Sequence, residues 1–147
     1  MSVYRIHGEA APGAAADVGS QLAVVDIRVD GWLVTYTLAM RVEGASLSAA
    51  GGYANVELTF GSASTSTSND IRQSIGMVQV GNNGAAAPTG TGASQVAVSG
   101  IRVKVFQGDR VYLFGAGSVA SMTVAGTAYL YVDDNAAEDA RSAIARR

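Results

Sequence analysis

The stretch closest to a chemical signature is Val111-Tyr112-Leu113-Phe114 running into Gly115-Ala116-Gly117-Ser118-Val119-Ala120, an apolar run followed by GxGxxA, with Asp133 further on. In a dinucleotide-binding unit such glycines let the backbone approach a pyrophosphate at the start of a helix. Here the only room for that helix is Ser118–Thr127, which contains Thr123, Val124, Gly126 and Thr127. Those are poor helix formers in a segment too short for a parallel crossover, so the run predicts a glycine-rich loop between strands. His7, the single histidine, has no nucleophile and orienting carboxylate marked with it, and reads as an edge or surface residue. Asp26, Glu43, Glu57 and Asp109 are candidates for paired-carboxylate chemistry, yet no spacing sets two of them across one cleft. The acidic run Asp133, Asp134, Asn135, Glu138 and Asp139 lacks the alternating ligands and central glycine of a calcium loop and reads as a helix start. Trp32 and Tyr36 are of the type that stacks on sugars, although large rings on the apolar face of a strand are ordinarily core. No catalytic, cofactor or metal site is predicted, and the residues alone do not name a function.

Composition narrows the classes further. A chain of 147 residues is long enough for one core that buries roughly 70% of its unfolded surface. With no cysteine, disulfides, thiolate catalysis and sulfur metal sites are all excluded. A net charge of -2 offers no cationic footprint for a phosphate backbone, so no nucleic-acid partner is expected. No run of about 18 apolar residues is present to span a membrane, and the N-terminus has no basic region followed by an apolar segment, so no membrane partner is expected either. Charged residues make up 15% of the chain against about 25% in ordinary domains, and Lys104 is the one lysine. A surface so poor in charge is carried by Gly, Ser, Thr and Asn, or covered by other subunits, and both are expected here.

The elements that must position these residues read as strands. Residues Met1–Gln21 form an N-terminal arm or edge strand, 22–132 a β-sandwich domain, and 133–147 a short C-terminal helix or tail. Within the sandwich, LAVVDIRV and WLVTYTLAMRV flank Asp30-Gly31, which predicts a hairpin with Val29 opposite Trp32, Ile27 opposite Val34 and Val25 opposite Tyr36. Tyr53–Phe60 reads as a strand, Gly61–Asn69 as a Ser/Thr loop, and Ile71–Val80 as a strand with Gly76 at a bulge, one helical turn at Ile71–Ile75 being the alternative start. Gly81–Ala93 is a long loop. In Gln95–Phe106 the apolar parity switches at Gly100, which predicts a bulge there, and Gln107-Gly108-Asp109 predicts a tight turn. The expected core is Val25, Ile27, Val29, Trp32, Val34, Val56, Leu58, Phe60, Val103, Val105, Val111, Leu113, Val124 and Leu130. In the last strand Tyr129 and Tyr131 fall opposite Leu130 and Val132, and two neighbouring outward tyrosines with few charges around them predict a subunit interface.

The segment VKVFQGDRVYLFGAGS, with MTVAGTAYLYV after it, is similar to the last three strands of trimeric jelly rolls of the tumour necrosis factor and complement-globular type. Gly108, Asp109, Val111, Leu113, Gly126, Leu130 and Val132 carry the likeness, over about a third of the chain. Phage capsid decoration (cement) proteins and head-fibre tips use related trimers. The resemblance implies an all-β jelly-roll or Greek-key sandwich of about eight antiparallel strands. It also implies a non-enzymatic structural virion protein on the capsid surface, made in the host cytoplasm, with no cofactor. Its expected partners are two further copies of itself in a homotrimer and the major capsid protein or other virion subunits. A receptor- or carbohydrate-binding fibre tip is the alternative. The final strand lacks the Phe-x-Gly pattern of the complement-type family, so that family's receptor binding is not implied.

Overall fold

The computed structural model describes residues 1–10, 20–43, 53–60, 73–81, 91–117 and 123–135. Every regular element in them is a strand: β1 (Ser2–Ala10), β2 (Ser20–Asp26), β3 (Gly31–Glu43), β4 (Tyr53–Phe60), β5 (Gln73–Gly81), β6 (Thr91–Val105), β7 (Arg110–Gly117) and β8 (Thr123–Asp133). They form two four-stranded antiparallel sheets, β1-β8-β3-β6 and β2-β7-β4-β5. Among consecutive strands only β4 and β5 share a sheet, and every other connection crosses the sandwich, which is the jelly-roll arrangement. Two sheets facing each other bury alternate residues of each strand: of the expected core, Val56 and Leu58 from β4, Val111 and Leu113 from β7, and Val124 and Leu130 from β8 are fully buried, and β3 adds Leu33, Leu38 and Val42, which were not expected there.

The hairpin expected at Asp30-Gly31 does not form. β2 pairs with β7, bringing Val25 opposite Val111, while β3 lies in the other sheet between β6 and β8. The turn chemistry is local, whereas each strand's partners come from far along the chain, and those partners decide. Gly31 serves a close approach rather than a turn, because a Cβ there would stand 2.6 Å from the carbonyl oxygen of Asp133. Asp30 instead accepts a hydrogen bond from the Gln107 amide at 2.9 Å, tying the β2–β3 corner to the β6–β7 turn.

The parity of β3 also departs from expectation. The register slips between Leu33 and Thr35, where Val34 faces the extra residues introduced by Gly100 on β6. Leu33 and Tyr36 therefore point inward, and Trp32 and Val34, expected in the core, stand half-buried on the outer side. The bulge expected at Gly100 is present, with φ +76°, as is the turn at Gly108, with φ +95°, closed by the Asp109 amide donating to the Phe106 carbonyl at 3.0 Å. A second slip between Leu58 and Thr59 leaves Ile75 unopposed beside Gly76, so the expected bulge is there; Gln73–Ile75 belong to β5, and the first residues of the alternative helical turn lie outside the described ones. The Tyr36 hydroxyl crosses the sandwich and donates to the Ile75 carbonyl at 3.2 Å, and a Cβ on Gly76 would collide with it.

Ser2–Ala10 is an edge strand, paired with β8 along its whole length and burying Ile6. β6 starts at Thr91, inside the loop expected over 81–93. The Ser/Thr loop at 61–69 and the C-terminal helix or tail beyond Asn135 lie outside the described residues.

Candidate functional site

Among the described residues none of the chemical readings assembles a site; Glu138 and Asp139 lie outside them. β7 runs through Gly117, and Thr123–Thr127, which a crossover helix after GxGxxA would need, belong to strand β8; residues 118–122 lie outside the described ones. Asp26 pairs with Arg110 at 3.0 Å, Glu43 with Arg41 at 2.8 Å, and Asp109 holds its own turn by accepting from the Phe106 amide at 2.8 Å. His7 is exposed on β1, its Nδ1 sharing a hydrogen bond of 2.7 Å with Thr127 Oγ1. Of the acidic run, Asp134 accepts from the Met1 ammonium at 2.9 Å and the Ser2 hydroxyl at 2.8 Å, and these contacts hold its pKa below the ordinary carboxylate value. Tyr36 is buried in the core and offers no platform.

What the strands do build is a face. On the outward side of β1-β8-β3-β6 the register sets Tyr129 between Arg5 and Thr37, with Ala97 beyond, and Thr127 between His7 and Ala39, with Gln95 beyond. Small residues there leave a depression of about 510 Å³ lined by Thr37, Ala39, Gln95, Ala97, Thr127 and Tyr129, none of them charged. Tyr129 is 38% exposed at its edge, and Tyr131 is half-buried between Val3 and Thr35. Tyr129 and Tyr131 thus share the outward face, as the alternation of β8 predicts, while Leu130 and Val132 go into the core. The depression's other residues come from three strands distant in sequence, and only the register brings them together. Sequence spacing marked Thr127, which alternates onto the Tyr129 face of β8, and carried no signal for the residues of β3 and β6.

A second set of residues gathers where β6 ends. Arg102 lies 4.6 Å from the centroid of the Trp32 ring, and Lys104 lies 5.4 Å from Trp32 and 5.5 Å from Phe106. The alternation RVKVF shows that Arg102, Lys104 and Phe106 share a side, but their meeting with Trp32 depends on the pairing of β3 with β6.

No family model matches this chain, and no curated protein is similar to it in sequence. Solved structures share its fold. Eiger TNF from S. frugiperda superposes with a TM-score of 0.53 at 11% identity, over 90% of this chain and 92% of that one. A chain from the structure of infectious bursal disease virus Gx strain gives 0.50 at 13% identity, over 89% of this chain and 32% of that one. The globular domain of zebrafish complement 1qA protein gives 0.42 at 11% identity, over 90% of this chain and all (100%) of that one. At these identities the likeness is one of fold, and the fold is a jelly roll.

Proposed function

We propose that this chain is a structural virion protein: a capsid decoration (cement) protein that sits on a phage head as a homotrimer, with Tyr129 and Tyr131 at the contact between subunits. The reading is non-enzymatic. The observation that carries it is the outward face of β1-β8-β3-β6, where Tyr129 borders an uncharged depression of small residues and Tyr131 shares the same face. Such a face is costly to leave in water and suited to close approach by another copy, since tyrosine contributes area with few rotatable bonds and still finds a partner for its hydroxyl. The virus-particle chain with the same fold fits this role. Since Ser2–Ala10 belongs to the sandwich itself and Asp134 is tied to Met1 and Ser2, this reading assigns the reach to a neighbouring coat subunit to the residues after Asn135.

Analytical ultracentrifugation tests the contact. The wild type is expected to sediment as a trimer at micromolar concentration and Tyr129→Asp/Tyr131→Asp as a folded monomer. A monomeric wild type, or a double variant of unchanged mass, overturns it. Binding of the wild type and of a variant ending at Asn135 to undecorated heads tests the particle half, with loss of occupancy expected for the shortened chain.

A fibre-tip role has one observation in its favour, namely that Thr37, Gln95 and Thr127 place hydrogen-bonding groups beside the Tyr129 ring in the same depression. Saturable binding of a neutral oligosaccharide, lost in Gln95→Ala with the sedimenting mass unchanged, would select it.

A further inference from the structure

The corner of the sandwich where β6 finishes holds a charge arrangement that the tyrosine face does not use. Arg102 and Lys104 alternate on the exposed side of β6, an edge strand. Neither takes part in the ion pairs Met1–Asp134, Arg41–Glu43 and Arg110–Asp26. Asp133 stands opposite Trp32 on the β8 side and is itself engaged in an interaction. Both cations are instead held over aromatic rings, Arg102 over Trp32 and Lys104 between Trp32 and Phe106.

Rings attract a cation without satisfying its N–H donors, so the heads stay held in place yet free to donate. Restricting two long side chains in advance lowers the entropy lost when a partner binds them. Alternate positions on a strand lie about 6.7 Å apart, the same repeat as alternate residues of any other extended segment. Two cations are too few for a nucleic-acid backbone, where binding draws on about 6–10 phosphate contacts. A sugar would need an open ring face, and the face of Trp32 is already covered by the two cations. What the corner presents is a pair of spaced donors for carboxylates.

We propose that Arg102 and Lys104, braced by Trp32 and Phe106, are a docking site for an acidic segment of a partner protein, engaging two carboxylates at alternate positions of an extended chain. The proposal names the chemistry of the partner surface and rests on the assembly reading for the existence of a protein partner. Its position suits that role. Tyr129 lies two strands inward on β8, and Phe106, 52% exposed, lies beyond the end of β6, so covering the tyrosines leaves this corner at the rim.

The probe is a labelled threonine-rich peptide with glutamates at alternate positions, titrated into the full-length protein, with a peptide of the same composition but adjacent glutamates and with heparin run alongside. Sedimentation of the same samples reports the oligomer separately. The alternating peptide is expected to bind best, to weaken as salt is raised, and to lose at least about tenfold in affinity in Arg102→Gln/Lys104→Gln with the sedimenting mass unchanged. Trp32→Leu, which keeps both charges and removes the ring, is expected to weaken binding by a smaller factor, with an unchanged far-ultraviolet circular dichroism spectrum confirming its fold. Equal binding by the double variant overturns the site. Heparin binding without peptide binding overturns the protein partner in favour of an acidic glycan. A loss of trimer mass in the double variant without peptide binding overturns it in favour of a second copy. A monomeric wild type that still binds the peptide at this corner leaves the site standing while the trimer reading falls.

Discussion

On the outward side of β2-β7-β4-β5, Tyr112 and Phe114 stack with ring centroids 5.7 Å apart and are 5% and 2% exposed; on the outward side of β1-β8-β3-β6, Tyr129 is 38% exposed. Both pairs of aromatic positions alternate with core residues, Val111 and Leu113 in β7 and Leu130 and Val132 in β8. The chain itself covers the first pair, whereas it leaves Tyr129 exposed and Tyr131 half-buried. Aromatic residues on an outward face are therefore not one kind of feature: those of β7 contribute to the stability of a single chain, whereas those of β8 are the ones proposed to contribute area to a contact between copies.

The largest effects should expose that difference. Phe114→Ala is expected to cost about 3–5 kcal/mol in urea unfolding, near the 2–5 kcal/mol, roughly, expected for Leu113→Ala on the core side of the same strand. Tyr129→Ala should cost the isolated chain within about 1 kcal/mol, since it removes no buried packing, and should act instead on sedimenting mass. If Phe114→Ala unfolded at the wild-type midpoint, the two outward faces would be equivalent and the division drawn here would be wrong.

A smaller effect sharpens the role of the interior that both faces share. Gly76→Ala is expected to destabilise by about 1–3 kcal/mol, because the new methyl displaces the Tyr36 hydroxyl from the Ile75 carbonyl that joins the sheets. Tyr36→Phe in the Gly76→Ala background relieves the collision and should recover part of the loss. Additive costs for the two changes would show that they do not meet.

How much of this was legible depends on whether the physics was local. The bulge at Gly100 and the turn at Gly108 are set by the residue's own backbone freedom and by the parity of its neighbours, so they could be read directly. The outward placing of Tyr129 and the core of β4, β7 and β8 follow from alternation and were equally readable, whereas the jelly roll was an implication of the resemblance in the last three strands. Asp30-Gly31 shows the opposite case: its residues suit a hairpin, but β3 is claimed on both sides by β6 and β8, and no local signal records that. Trp32 and Val34 were misplaced because WLVTYTLAM has apolar residues of both parities and hides the slip at Val34. The burial of Tyr112 and Phe114 did leave a signal, since Val111–Phe114 is continuously apolar, the mark of a strand covered on both faces. The β3 and β6 residues of the depression and the Arg102–Trp32–Lys104 corner left none, being products of register.

The smallest expected effect concerns the seam that completes the open face. β1 forms one edge of β1-β8-β3-β6, and beyond its ladder it is fastened at its start by Asp134, which receives the Met1 ammonium and the Ser2 hydroxyl. Those contacts, the ammonium first, hold the Asp134 pKa below its ordinary value, so the native state favours the ionised carboxylate more than the unfolded chain does. A depressed folded pKa contributes stability that is present above the unfolded value and lost as pH falls through the folded one. Protonation of Asp134 removes the charge that the Met1 ammonium pairs with. Asp134→Asn should therefore melt slightly below the wild type at neutral pH, with the gap closing on acidification through the carboxylate range, and hydrogen exchange should show the change confined to the Ser2 end of β1. Since the pair is solvent-exposed, the shift should be smaller than any above and should shrink in high salt. A gap that persisted unchanged at low pH would mean that Asp134 acts through its shape rather than its charge, and the open face would then owe that edge to the β1–β8 ladder alone.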